Sequence, residues 1–218
     1  MTQTNMKGLA RHMPIALTVG RLALTLVFLL MVLYAPRLGE AKPWPFLTAA
    51  FVLFVIAGLT DVVDGTIARA LGVTSKFGRL LDPLVDKVLV CGAFICFALV
   101  GQPRFANFLV APYELPEWLF DVFRWLTAVI LAVREVGVTI LRHVAEARGV
   151  AFGAVVSGKI KMFLQSFAIG TVVIGWAFVS RTWGDWFTVV TFVLMLAITV
   201  ASGIQSLCRP IRPPAPAA

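Results

Sequence analysis

Apolar residues are concentrated in six long stretches of the chain, separated by shorter segments that carry Pro, Gly and polar residues. A helix needs about 20 apolar residues to cross the hydrocarbon core of a bilayer, and each stretch is close to that length. The predicted spans are residues 15–34, 46–68, 80–100, 120–140, 160–180 and 186–207. We therefore predict an all-α integral membrane protein with six transmembrane helices, folded as a single domain over residues 1–208.

The composition also indicates that this chain resides in a membrane. Of its 218 residues, 60% are hydrophobic and 14% are charged, and the mean hydropathy is +0.92. So few polar side chains cannot cover a water-soluble globule of this size. Residues 209–218 are rich in Pro and Ala, and because prolines lack a backbone N–H we expect a cytoplasmic tail without regular structure there.

The net charge of +8 is distributed unevenly between the two sides of the predicted bundle. If the N-terminus is cytoplasmic, only five of the 19 Lys and Arg residues fall on the outer side: Arg37, Lys42, Arg104, Arg124 and Arg181. Five outer acids balance them: Glu40, Glu114, Glu117, Asp121 and Asp185. The whole positive excess then lies on the cytoplasmic side, as is typical of inner-membrane proteins, so the charge predicts cytoplasmic termini and no nucleic-acid partner.

Four aspartates interrupt the second and third apolar stretches. Asp61 and Asp64 lie three residues apart, and Asp82 and Asp86 lie four apart, so each pair shares one face of its helix. A carboxylate inside hydrocarbon is costly unless it is paired, hydrated or bound to metal. The two helices are joined by a short turn, so we expect them to be antiparallel neighbours that bring both pairs together near the cytoplasmic surface.

Four converging carboxylates form a plausible metal site by their chemistry. Hard oxygen ligands, without thiolate or imidazole, favour Mg²⁺, Mn²⁺ or Ca²⁺, and the number of ligands suits two ions. The alternative interpretation is that the aspartates form structural ion pairs with Arg69, Arg79 and Lys87, which lie close by in sequence.

Small residues accompany the acids on both helices. Gly65 and Ala68 lie on the face of Asp61 and Asp64, and Gly78 precedes Asp82 by four residues. A helix face without bulky side chains leaves room for a large ligand such as a nucleotide with its pyrophosphate. It also permits close packing of two helices, and the sequence leaves both interpretations open.

These residues together form a pattern of eight specified positions on two membrane helices. The positions are Asp61, Asp64, Gly65, Ala68, Arg69, Gly78, Asp82 and Asp86. The pattern resembles the signature of the CDP-alcohol phosphotransferase family at every fixed position. The resemblance implies a six-helix membrane fold, a homodimer, and an active site open to the cytoplasm that acts on a CDP-lipid such as CDP-diacylglycerol within the membrane lipid.

The same resemblance implies roles for the individual residues of the pattern. Asp61, Asp64 and Asp82 would bind two divalent cations, Mg²⁺ or Mn²⁺, and Asp86 would bind metal and also act as the general base. The CDP group would be contacted by four residues: Gly65, Ala68, Arg69 and Gly78. The implied reaction transfers the lipid phosphate to an alcohol and releases CMP.

Three further segments resemble family members whose acceptor is glycerol 3-phosphate. They carry the predicted substrate-binding residues Thr18, Arg21, Arg134, Arg142, Lys159 and Lys161. Around these positions, His12 and Ile15 stand where asparagine is common, and Met162 replaces a threonine. An acceptor with its own phosphate needs cations beyond the metal site, and Arg is well shaped to bind phosphate with two parallel hydrogen bonds.

Alternatives remain open for the cations and for the function. Lys159 and Lys161 could be ordinary charges flanking a span, and Arg134 could pair with Glu135 or with an aspartate of the metal site. The acceptor could instead be phosphatidylglycerol or inositol phosphate. From a different class of protein, a divalent-cation transporter would also place acids inside a membrane.

Overall fold

A computed structural model describes the backbone of residues 3–38, 44–71, 76–104, 116–147, 156–179 and 182–208. Side chains are described for residues 16–38, 44–60, 83–104, 116–147 (except 117 and 146), 160–179 and 183–208. These parts of the chain contain six α-helices and no strand. The prediction of an all-α protein with six helices is therefore confirmed.

The helices follow the order of the apolar stretches. They are α1 (Gln3–Tyr34), α2 (Trp44–Leu71), α3 (Lys76–Leu99), α4 (Glu117–Ala147), α5 (Val156–Phe178) and α6 (Thr182–Leu207), and a short 3₁₀ turn, Ala35–Leu38, follows α1. Helices satisfy every backbone hydrogen bond within one segment, which lipid requires of a spanning element. Pro45 lies in the first turn of α2, where its missing N–H costs nothing.

The helices α1, α2 and α3 belong to one compact unit, comprising residues 1–100 and 176–178. Within it, α1 packs against both α2 and α3. The Phe28 and Phe54 rings meet with centroids 5.3 Å apart and join α1 to α2. A Cβ added to Gly92 of α3 would lie only 2.7 Å from Leu29 Cδ1, so glycine permits the close approach of α1 and α3.

The second unit comprises residues 101–175 and 179–218. In it, α4 packs against α6, and the rings of Phe123 and Phe192 lie 6.1 Å apart between them. The buried face of α6 carries several hydroxyls, and three of them donate to the carbonyl one turn earlier: Thr188 to Gly184 (2.9 Å), Thr191 to Phe187 (2.8 Å) and Ser206 to Ser202 (2.8 Å). These hydrogen bonds satisfy the donors of the three buried hydroxyls within the helix itself.

Three segments of the described helices are long and apolar enough to cross a membrane: Ala16–Leu38, Ile160–Phe178 and Trp183–Leu207. A shorter apolar segment, Trp44–Thr60, occupies the described part of α2. Large apolar side chains on these helices face outward, and Phe163 is 69% exposed. Exposed apolar surface of this extent suits contact with lipid tails rather than water.

Candidate active site

Asp86, the predicted general base, lies on α3 next to an arginine of α1. Arg21 Nη2 is 3.5 Å from Asp86 Oδ1. The Arg21 side chain is 2% exposed, whereas the Asp86 side chain is 31% exposed. A guanidinium buried this deeply needs a counter-charge, and the carboxylate of Asp86 supplies one.

Thr18 and Arg21 lie one turn apart on the same buried face of α1. The sequence placed both residues on the acceptor side of the reaction and Asp86 at its chemical step. The structure brings Arg21 and Asp86 together. It leaves the binding roles of Thr18 and Arg21 as predictions.

Most of the predicted metal and nucleotide ligands have side chains outside the described residues. Asp61, Asp64, Gly65, Ala68 and Arg69 belong to α2, and Gly78 and Asp82 belong to α3. Among the described side chains, no group of three or more His, Cys, Asp or Glu residues could hold a metal, and Asp86 is the one predicted ligand included in that search. The convergence of the four aspartates stays a prediction.

The available donors fit a divalent cation by their chemistry. Asp86 offers a carboxylate that is partly open, and its three predicted partners offer the same hard oxygen ligands.

A second polar group lies in the unit of α4, α5 and α6, and Glu135 is at its centre. Arg134 Nη1 donates to Glu135 Oε1 (3.0 Å), and Gln165 Nε2 donates to the same oxygen (3.3 Å). Lys161 Nζ also donates to Glu135 Oε1. Arg134 Nη2 donates to Ser202 Oγ at 2.7 Å. We call these five residues the Glu135 cluster.

The Glu135 cluster is buried and carries a net charge of one positive unit, from two cations and one carboxylate. The side chains of Lys161, Glu135 and Arg134 are only 4%, 11% and 12% exposed. Arg134 Nε is buried, with no hydrogen-bond partner among the described residues. A buried positive excess with an unmet donor is suited to an anion.

The structure decides two of the alternatives that the sequence left open. Lys161 is buried and bonded to Glu135, so it is not a solvated flanking charge. Arg134 does pair with Glu135, as one alternative held. Arg142 is exposed on α4, and the side chain of Lys159 lies outside the described residues.

Sequence reasoning included the pairing of Arg134 with Glu135 as an alternative, but it did not predict that Glu135 also contacts Lys161 and Gln165 or that Ser202 takes part. An acid within an apolar span was a usable signal for Glu135, because such a group needs partners. Gln165 lies four residues after Lys161, on the same helix face. Ser202 gave no signal, since a serine is ordinary in a membrane helix.

The sequence profile of CDP-alcohol phosphatidyltransferases matches residues 11–202, which include Arg21, Asp86 and the whole Glu135 cluster. The chain belongs to the CDP-alcohol phosphatidyltransferase family. It is a CDP-alcohol phosphatidyltransferase, and its described residues include three apolar helices long enough to span a bilayer, so it is a membrane enzyme of phosphatidyl transfer.

Individual phosphatidyltransferases similar to this chain come from several bacteria. A probable phosphatidylglycerophosphate synthase of Mycobacterium tuberculosis (strain H37Rv) is 32% identical over 198 residues, covering 90% of this chain and 80% of the relative. A CDP-diacylglycerol–glycerol-3-phosphate 3-phosphatidyltransferase of Bacillus subtilis is 31% identical over 205 residues, covering 79% and 95%. The enzyme of the same name from Haemophilus influenzae is 31% identical over 161 residues, covering 73% and 74%.

Proposed function

We propose that this phosphatidyltransferase moves the phosphatidyl group of CDP-diacylglycerol to sn-glycerol 3-phosphate, giving phosphatidylglycerol phosphate and CMP. The observation that carries the proposal is the buried, net positive Glu135 cluster. An acceptor that already bears a phosphate needs cations of its own, and this cluster provides two. The names of the relatives from M. tuberculosis and B. subtilis support the same acceptor.

For the donor side, we propose the assignments that the family signature implies. Asp61, Asp64, Asp82 and Asp86 would hold two divalent cations, Mg²⁺ or Mn²⁺. Such cations offset charge on the pyrophosphate and on departing CMP. Gly65, Ala68, Arg69 and Gly78 would contact the CDP group.

Asp86 has the proton-transfer role in this proposal. The acceptor hydroxyl forms a bond to the phosphorus on the diacylglycerol side, the phosphorus–oxygen bond to CMP breaks, and the hydroxyl proton passes to the Asp86 carboxylate. Arg21 Nη2, 3.5 Å from Asp86 Oδ1, provides a counter-charge for that carboxylate. The charge of Arg21 also restricts the orientation of that carboxylate.

For the acceptor side, we propose that cations bind the phosphate of glycerol 3-phosphate. The cations Arg134 and Lys161 come from the Glu135 cluster, and Arg142, Lys159 and Arg21, together with the hydroxyl of Thr18, are included by family resemblance. Two of the five N–H donors of Arg134 are used by Glu135 and Ser202, so others remain for an anion.

The proposed setting is the inner (cytoplasmic) membrane, with the active site and both termini facing the cytoplasm. The six helices would form a single catalytic domain over residues 1–208, followed by the tail at 209–218, and the enzyme would be a homodimer. The tail lies outside the described residues.

An acceptor assay tests the proposed function. Purified protein should release CMP from CDP-diacylglycerol with glycerol 3-phosphate, and not with phosphatidylglycerol or inositol phosphate. EDTA should stop the release, and Mg²⁺ or Mn²⁺ should restore it, because the ligands are hard oxygens.

Each contrary result of this assay identifies a different function. Release with phosphatidylglycerol or inositol phosphate, and none with glycerol 3-phosphate, would mean a cardiolipin synthase or a phosphatidylinositol phosphate synthase. Uptake of Mn²⁺ into vesicles holding the protein, without any CMP release, would mean a divalent-cation transporter.

A further inference from the structure

Glu135 of α4 contacts side chains of its own helix and of α5. A single oxygen, Oε1, accepts hydrogen bonds from Arg134 of the same helix and from Lys161 and Gln165 of α5. Arg134 in turn reaches Ser202 of α6 at 2.7 Å. The carboxylate therefore links two cations from two helices through one atom.

Two cations that share one oxygen would otherwise repel each other. With both side chains largely buried, water screens that repulsion weakly. Without the charge of Glu135, Lys161 and Arg134 would be expected to move apart into other rotamers. The carboxylate between them offsets that repulsion and favours their closeness.

Glu135 is unsuited to touching the acceptor's phosphate itself. A carboxylate has only acceptor oxygens when ionised, as a phosphate does, and two anions repel at close range. Its influence on a phosphate must pass through the two cations that it holds.

Building on the proposed function, we propose that Glu135 is a positioning residue for the acceptor. It holds Arg134 and Lys161 side by side so that their remaining donors converge on the phosphate of the phosphorylated alcohol. Gln165, one turn from Lys161 on α5, fixes the carboxylate oxygen from the same side.

The variant Glu135→Gln distinguishes two possible roles of the carboxylate: positioning the cations, or only reducing their positive charge. The two roles predict opposite changes in the KM for glycerol 3-phosphate. The amide keeps the shape of the side chain but removes its charge. If the carboxylate only reduced the positive charge of the cluster, its loss would strengthen phosphate binding and lower the KM for glycerol 3-phosphate. If it positions the cations, that KM should rise about tenfold, the scale of a hydrogen bond to a charged group, while the KM for CDP-diacylglycerol stays unchanged.

A matched control and a coupled variant accompany this measurement. Asp121 forms the other described carboxylate–arginine pair of α4, with Arg124, and Asp121→Asn should leave both KM values unchanged. In a Lys161→Gln background, Glu135→Gln should raise the KM for glycerol 3-phosphate by a smaller factor than in the wild type, because one of the two cations through which it acts is gone. If Glu135→Gln does not fold, Glu135→Asp retains the charge on a shorter side chain and should show a smaller rise in the same KM.

The outcomes distinguish this inference from the proposed function. If the wild type uses glycerol 3-phosphate but Glu135→Gln lowers its KM, leaves it unchanged or alters both KM values equally, the positioning role is wrong and the function stands. If the wild type does not use glycerol 3-phosphate, the proposed function is wrong. Inorganic phosphate then serves as the probe: stabilisation of the wild type against heat that is lost in Glu135→Gln supports positioning, and its absence in the wild type or its retention in the variant overturns it.

Discussion

At the scale of single residues, Asp86 has a proposed catalytic role and a structural role, and an experiment must distinguish the two. Its carboxylate is the proposed base, and it is also the counter-charge of Arg21, which is almost entirely buried. Removing the charge would therefore lower the reaction rate and also take one counter-charge away from a buried guanidinium. A substitution at this position is informative only when activity and folding are measured together.

We expect Asp86→Asn to lower CMP release by about 100-fold or more, since a positioned general base contributes at least that factor. The asparagine retains an oxygen that can accept a hydrogen bond from Arg21, so the protein should still fold and melt cooperatively. CMP release and thermal melting in the same detergent check both statements. A folded Asp86→Asn variant with activity within about tenfold of the wild type would refute the proton-transfer role.

Local patterns in the sequence led to predictions about the chemistry of single residues. The spacing of Asp82 and Asp86 and the acid's position in an apolar helix indicated a functional carboxylate before any coordinates. The Glu135 cluster was not predictable in the same way. Its members lie on three helices, with Ser202 distant in sequence from Arg134, and no local pattern specifies how those helices rotate to face each other.

At the scale of elements, hydropathy predicted the centres of the helices better than their ends. The stretch at 15–34 belongs to a helix that begins at Gln3, and the stretch at 120–140 belongs to one that continues to Ala147. The helical turns that lie outside the predicted stretches contain polar residues or a mixture of polar and apolar residues. A hydropathy pattern detects the apolar part of a helix, whereas the helix itself can extend beyond that part through polar turns.

The packing of α1 on α3 depends on the missing side chain of Gly92. We expect Gly92→Val to lower the free energy of unfolding by about 1–3 kcal/mol, the usual cost of inserting bulk into a packed interface. Leu29→Ala should recover part of that loss in the double variant, because Leu29 is the side chain that the new one would meet. Melting temperatures in one detergent measure both effects.

Gly58 of α2 provides the control for this prediction. A Cβ at Gly58 would meet nothing within 4 Å, so Gly58→Val should change stability far less. Equal destabilisation by the two variants would mean that the loss of glycine, rather than the contact with Leu29, is responsible.

At the scale of the whole molecule, two separate arguments predicted the membrane environment of the chain and its orientation in that membrane. The first rests on composition and the second on charge. The apolar content indicated a membrane, and the outward-facing side chains of the spans, such as Phe163, agree with it. The orientation rests on the distribution of Lys and Arg alone. The fold is equally compatible with either orientation, so an independent measurement is required.

Cysteine labelling can make that measurement with residues that the chain already offers. Cys208 is exposed immediately after α6, whereas Cys96 is buried and Cys91 is only partly accessible. With Cys91 and Cys96 replaced by serine, a membrane-impermeant maleimide should label Cys208 in inverted vesicles and not in intact spheroplasts. In a variant without the three native cysteines, Arg104→Cys should show the opposite pattern, because Arg104 is exposed in the segment after α3 that the charge distribution places outside. Labelling of Cys208 from the outside, with Arg104→Cys reached only from the inside, would reverse the orientation and place the ends of the chain away from the cytoplasmic pool of phosphorylated acceptor.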